Sequence, residues 1–190
     1  MIKKVAVFGS SGLIGSHILK TLEKDSYFDK IIAPTRSPIA FRSRKTQNNI
    51  IDFKDYKSII KVIKGCEIVF ISIGTTQSKV KWNLNKYREI DYGIPIAIAK
   101  ASKECHVNKI LLVSSAGANI NAKGFYLSLK GEIEKSLIDL NIKNTFIFRP
   151  SLLLGNRKEN RFGEKIAQII MPIFCFLLPK EYWPIHAQKV

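Results

Sequence analysis

An apolar run that breaks abruptly on a glycine constrains this chain more than any other feature. Val5-Ala6-Val7-Phe8 has the length and β-branched content of a buried strand. Gly9-Ser10-Ser11-Gly12-Leu13-Ile14-Gly15 follows without a spacer, and Leu13, Ile14, His17, Ile18 and Leu22 then recur at helical spacing. Strand, glycine turn and helix in that order form the opening unit of a dinucleotide-binding fold. Gly9 lets the chain turn sharply off the strand, Gly12 leaves room for a pyrophosphate against the backbone, and Gly15 lets the helix pack closely on the sheet. The unpaired N–H groups at the helix start, over Ser11, Gly12, Leu13 and Ile14, then face the diphosphate. The spacing is GxxGxxG rather than the commoner GxGxxG. No Lys-Ser/Thr pair follows the glycines, so a Walker A reading for ATP fails.

The 190 residues suit one domain with a sizeable core, and 46% hydrophobic with 24% charged residues is a globular composition. The N-terminus runs straight into a strand with no signal-peptide pattern. Cys66, Cys105 and Cys175 are scattered, with no CxxC, which argues for a reducing cytoplasm and against a metal site. A formal charge of +16 attracts anions, but it is mostly lysine spread along the chain. No recognition motif accompanies it, so specific nucleic-acid binding is not expected. An anionic cofactor or substrate is.

Lys30 to Thr35 reads as a second strand with Arg36 at its tip. An acidic residue there would hold the ribose hydroxyls of NAD, whereas an arginine suits the 2′-phosphate of NADP. NADP(H) is therefore expected ahead of NAD(H). The alternative is a solvated arginine in a loop that also holds Arg42, Arg44 and Lys45. Residues 37–48 read as that polar loop, Ile50 to Phe53 as a short third strand, and Asp55 as the cap of a helix from Tyr56 to Lys64. Asp52 and Phe53 are adenine-side candidates, Asp52 reading equally well as a turn residue. Glu67 to Ile73 is a fourth strand. Gly74 and Thr75 at its carboxyl edge are candidate backbone contacts to the cofactor.

A long helix is expected from Tyr87 to Cys105, kinked or delayed by Pro95 and ended by His106 as a C-terminal cap. A fifth strand runs from Lys109 to Val113, a helix from Phe125 to Leu140, and a sixth strand from Thr145 to Phe148 into Arg149-Pro150-Ser151. Six strands alternating with helices predict an α/β fold with a doubly wound parallel sheet, as one domain over 1–190. Residues 151–190 would form a small pocket or lid region with a helix near Glu164 to Ile170. The apolar run Ile169 to Leu178 is too short for a bilayer and contains a proline, so it reads as pocket wall or interfacial patch.

Ser115, Tyr126 and Lys130 come together if the fifth strand and its following helix pack in this way. A tyrosine exchanges a proton with a carbonyl or alcohol oxygen only when its pKa falls well below about 10, and a lysine one helical turn away supplies the charge that lowers it. A serine hydroxyl at the neighbouring strand end holds the substrate oxygen. Tyr-x-x-x-Lys alone is common, and its plainer reading is a packed tyrosine beside a surface lysine.

The segments GSSGLIGSHIL, the Arg36 strand end, EIDYGIPIAIAK, LLVSSAGAN, FYLSLKGEIE and FRPSLLLGNR together resemble the atypical short-chain dehydrogenases/reductases, closest to the small subgroup related to the Tat-interacting protein. The likeness covers essentially the whole chain. It implies a Rossmann fold, NADP(H) across the glycine turn, and Ser115, Tyr126 and Lys130 as the catalytic set, with Ser114 the alternative serine. It also implies that Lys130 bonds the nicotinamide ribose, that Pro150 and Ser151 lie near the nicotinamide, and that a homodimer forms through the helices around Tyr87 and Tyr126. Enzymes of the extended type carry a large C-terminal substrate domain, whereas forty residues follow Pro150 here, and relatives continue into a helix where this chain reaches Val190. A shortened form is the expectation. The expected function is an oxidoreductase acting on a small carbonyl or alcohol. The alternative is a non-catalytic NADP(H) sensor of the kind that NmrA-like regulators resemble.

Overall fold

In the computed structural model, which describes residues 2–151, 153–154 and 185–189, six strands form one parallel sheet. The strands are β1 (Lys4–Phe8), β2 (Lys30–Thr35), β3 (Thr46–Ile50), β4 (Ile68–Ile71), β5 (Lys109–Val113) and β6 (Asn144–Phe148), in the spatial order β3-β2-β1-β4-β5-β6. β1 lies in the middle because both its edges are used: Val5 pairs with Ile31 of β2 and with Ile68 of β4. Strand order reverses between β1 and β4, and a crevice at the carboxyl ends of the strands opens at such a reversal. A short second sheet joins β7 (Leu153–Leu154) to β8 (Ile185–His186).

Alternation along β1 divides the core. Ala6 and Phe8 join Ile59, Ile63, Ile98, Leu129 and Ile133 on one face, under α2 (Tyr56–Ile63), α4 (Ile94–Glu104) and α5 (Phe125–Asp139). Val5 and Val7 join Leu19, Leu22, Phe28 and Ile31 on the other, under α1 (Leu13–Lys24). A strand covered on both faces has no polar side, which is why it reads as an unbroken apolar run. Each fully buried side chain of this kind contributes roughly 1.5–3 kcal/mol. The expected α/β, doubly wound parallel sheet is the architecture found.

β4 is shorter than the expected Glu67 to Ile73, and two further elements differ more from expectation. The third strand is Thr46–Ile50, earlier than Ile50–Phe53. Its side-chain ties are polar: Asn48 Nδ2 donates to Ala33 O (2.8 Å) and Thr35 Oγ1 (2.7 Å) of β2, and Thr46 Oγ1 donates to Glu23 Oε1 (3.0 Å) at the end of the helix Leu13–Lys24. An edge strand tied by side-chain amides and hydroxyls leaves no hydrophobic signature. The apolar Ile51 and Phe53 instead cover the core beyond its end.

The long helix is in three parts. It starts at α3 (Leu84–Arg88), where Asn83 Oδ1 accepts the Lys86 N–H, and it reaches α4 through a π-helical turn, Glu89–Gly93. Pro95 has no N–H to give the Asp91 carbonyl, and the Ile94 N–H reaches back five residues to Glu89 O, so the ladder widens there. His106 follows α4 in the left-handed region (φ 55) and donates its N–H to Lys103 O, the expected terminating role. The helix expected near Glu164 to Ile170, the apolar run Ile169 to Leu178 and Cys175 lie outside the described residues.

Candidate cofactor cleft and active site

The glycine turn has the geometry that its residues require. Gly9 adopts φ +86, and a Cβ there would lie 2.6 Å from the Ser72 carbonyl carbon on β4's exit. A Cβ on Gly15 would lie 2.1 Å from Gly9 O, so α1 packs against its own turn only without a side chain there. Gly12 is exposed, and its N–H closes the turn onto Gly9 O at 2.9 Å. No side chain caps α1, and its first turn has no acidic residue, so the helix start offers N–H groups to an anion. Ser10 beneath the turn is buried, and its hydroxyl has no hydrogen-bond partner. A cradle that a Cβ would fill, an uncapped helix and a spare buried hydroxyl fit a pyrophosphate.

The remaining cofactor candidates line the same edge of the sheet. Arg36 stands exposed one residue beyond β2, where Thr35 Oγ1 donates to Ser37 O (2.7 Å) and turns the chain. Asp52 is exposed past β3, and its carboxylate accepts the Lys54 N–H (2.9 Å), which is a turn role. Phe53 meets Phe8 edge-on, with ring centroids 6.2 Å apart. Gly74 and Thr75 follow β4. At the other end of the edge, Ala116 N donates to Pro150 O (2.8 Å), so the exits of β5 and β6 hold Ser115, Pro150 and Ser151 side by side.

Tyr126 and Lys130 lie one turn apart on α5. The Lys130 ammonium is 5.7 Å from the Tyr126 ring centroid, Tyr126 is 41% exposed, and Lys130 is 5% exposed. A charge this deep needs a partner. Asp91 in the π turn supplies it: Asp91 Oδ2 is 3.5 Å from Lys130 Nζ, and Asp91 Oδ1 accepts the Thr75 N–H at 2.6 Å. One carboxylate thus ties the lysine to the turn after β4. Tyr87 braces the same place, donating its hydroxyl to Thr75 O (3.4 Å) and meeting Phe125, the residue before Tyr126, edge-on at 5.6 Å.

Ser115 is half-buried, and its hydroxyl donates to Ala116 O at 3.3 Å, a long contact that a better acceptor would displace. Its neighbour Ser114 is buried with an unpartnered hydroxyl. The loop after β5 is stitched to α5: Asn119 N donates to Leu127 O (3.2 Å) and Ser128 Oγ to Ile120 O (3.0 Å).

Asp91 and Gly131 are the site residues that sequence reasoning missed. Tyr87, Asp91, Ile94 and Ile98 fall on one helical stripe, so an acidic residue interrupts an otherwise apolar face, and that was the available signal. A Cβ on Gly131 would sit 2.2 Å from Ile120 N, so this glycine lets α5 press against the loop that carries Ser115. Among the described residues no cluster of His, Cys, Asp or Glu could hold a metal, and no helix is long and apolar enough to cross a membrane.

Residues 9–159 match the profile described as NAD(P)H-binding. Among curated proteins, the mitochondrial protein FMP52 of Candida glabrata is 37% identical over 166 residues, covering 86% of this chain and 70% of its own. FMP52 of Candida albicans is 34% identical over 169 residues, covering 86% and 73%. Among solved structures, Pen from Bacillus thuringiensis aligns with a TM-score of 0.71 at 20% identity, over 83% of this chain and 52% of its own. UDP-N-acetylglucosamine 4-epimerase from Methanobrevibacter ruminantium aligns with a TM-score of 0.72 at 19% identity, over 92% and 64%. The chain therefore spans between half and two-thirds of the solved chains named here, and at this identity the likeness shows the fold. The relatives' names overturn the cytoplasmic expectation, because these FMP52 proteins are named mitochondrial. Scattered cysteines report on redox conditions and do not distinguish one reducing compartment from another.

Proposed function

This chain belongs to the NAD(P)H-binding family, with FMP52 proteins among its relatives, and from that premise we propose an NADP(H)-dependent oxidoreductase of the short-chain dehydrogenase/reductase type. Its substrate is a small carbonyl or alcohol, its catalytic residues are Ser115, Tyr126 and Lys130, and it works in mitochondria. The observation that carries the reading is the buried Lys130, held by Asp91 one helical turn from an open Tyr126. Sinking a lysine to 5% exposure is costly, and its place at the carboxyl edge of the sheet, beside an open tyrosine, supports a chemical task for it.

When bound, the nicotinamide supplies or takes the hydride. The chain's residues do the rest. The glycine turn and the α1 N-terminus hold the diphosphate, and Arg36 meets a 2′-phosphate. Asp52 and Phe53 border the adenine, Gly74 and Thr75 contact the cofactor through backbone, and Lys130 bonds the ribose beside Pro150 and Ser151. Ser115 donates to the substrate oxygen. Tyr126 gives its proton to that oxygen in reduction and takes one from it in oxidation, with the Lys130 ammonium one helical turn away. The region 151–190 completes the pocket of a single domain, and a second copy docks through the helices near Tyr87 and Tyr126. Likeness to the Tat-interacting-protein subgroup is part of this proposal.

Titration with NADPH and NADH, followed by turnover of a carbonyl panel, tests it. Tighter NADPH binding and turnover lost in Tyr126→Phe are expected. Turnover unchanged in Tyr126→Phe sinks the catalytic assignment. NADPH-dependent capture of a partner, indifferent to that substitution, would favour the sensor alternative.

A further inference from the structure

The loop between β4 and α3 is built to present one side chain. Its base is fixed: Thr75 N is held by Asp91, and Val80 in its middle is buried in the main core. Within it, Val80 N donates to Thr76 O, Lys81 N to Ser78 O, Trp82 N to Gln77 O and Asn83 N to Val80 O. This tight winding drives two consecutive residues with side chains into the left-handed region, Lys81 at φ 50 and Trp82 at φ 62. Trp82 nevertheless stands 71% exposed. Backbone strain and an unburied indole are both unfavourable, and a rigid loop that keeps both points to a ligand. The place is specific. β4 pairs with β5, so this loop leaves the sheet beside the one that carries Ser115 and leads to Tyr126.

We propose that Trp82 is a stacking platform at the mouth of the active site, and that the substrate bears an aromatic or similarly flat apolar group beyond its reacting carbonyl. This rests on the oxidoreductase reading above. A flat indole face gains most from a flat apolar partner and offers little to a short aliphatic chain.

The test compares 3-phenylpropanal with propanal, the same aldehyde with and without the ring, using the full chain and NADPH. The ratio of kcat/KM for 3-phenylpropanal over propanal falls about tenfold in Trp82→Ala and is largely kept in Trp82→Phe. An unchanged far-UV circular dichroism spectrum and thermal midpoint show that each variant is folded. An unchanged ratio overturns the proposal. Binding is read separately from turnover: 3-phenylpropanal quenches tryptophan emission of the NADP+-loaded protein saturably, and the quenching is lost in Trp82→Phe. Saturable quenching with no turnover of any carbonyl keeps the platform and removes the oxidoreductase reading. Quenching that is absent, or equal in Trp82→Phe, overturns the platform whatever the turnover. An emission shift caused by anionic lipid vesicles, with none from the aldehyde, also overturns it.

Discussion

Removing the charge of Asp91 is the change this site can least absorb. Asp91 and Lys130 face each other at 3.5 Å with side chains only 2% and 6% exposed. At that distance an effective dielectric of about 20 gives an attraction of roughly 5 kcal/mol, most of it offset by the cost of dehydrating both ions. Asp91→Asn preserves the shape and leaves an oxygen for the Thr75 N–H, so the loss isolates the charge. Lys130 then remains buried with no counterion, and breaking a buried pair from one side costs about 3–5 kcal/mol. In a chain of this length that lowers Tm by roughly 6–20 °C. Urea unfolding at pH 7, followed by far-UV circular dichroism, measures it. The double variant Asp91→Asn/Lys130→Met removes both charges, keeps an acceptor for the Thr75 N–H and recovers most of the loss. A cost below about 1 kcal/mol for Asp91→Asn, or a double variant no better than the sum of the single losses, would refute the reasoning.

Other expectations follow from single contacts. Gly15→Ala places a Cβ 2.1 Å from Gly9 O, so α1 must lift from the turn; NADPH binding is lost and stability drops by about 1–3 kcal/mol in thermal unfolding. Arg36→Ala weakens NADPH binding about tenfold, the value of one charge-assisted contact, and leaves NADH binding unchanged in the same fluorescence titration. Burial pushes the Cys66 thiol up to about 11 and raises Cys105 as well. A thiol held protonated by folding stabilises fully below its unfolded value of about 8.5, and that contribution is lost as pH rises towards 11. Iodoacetamide at pH 8 therefore labels Cys66 far more slowly in folded than in urea-unfolded protein, and Cys66→Ala flattens the alkaline fall in stability.

The first βα unit was legible because its signals are local. Four apolar residues, a glycine that needs positive φ and a helical stripe lie within twenty positions, and each imposes its own backbone. β2 and β5 match their expected bounds to the residue for a related reason, since each carries a run of consecutive apolar residues, Ile31 to Pro34 and Ile110 to Val113. Asp55 capping α2 through the Lys57 N–H was equally local. By itself the sequence therefore determined the parallel α/β fold, the glycine turn at its centre, and the candidacy of Tyr126 and Lys130 on one helix face. Tertiary structure decided what depends on partners distant in the chain. β3 formed from Thr46–Ile50 because amides and hydroxyls could be satisfied by β2 and α1, which no hydrophobic pattern records. Asp91 became the counterion of Lys130 only when a π turn, imposed by Pro95, brought it across from another helix. Local propensity is a property of a few neighbouring residues, whereas a buried charge is paired by whichever group the fold brings within reach.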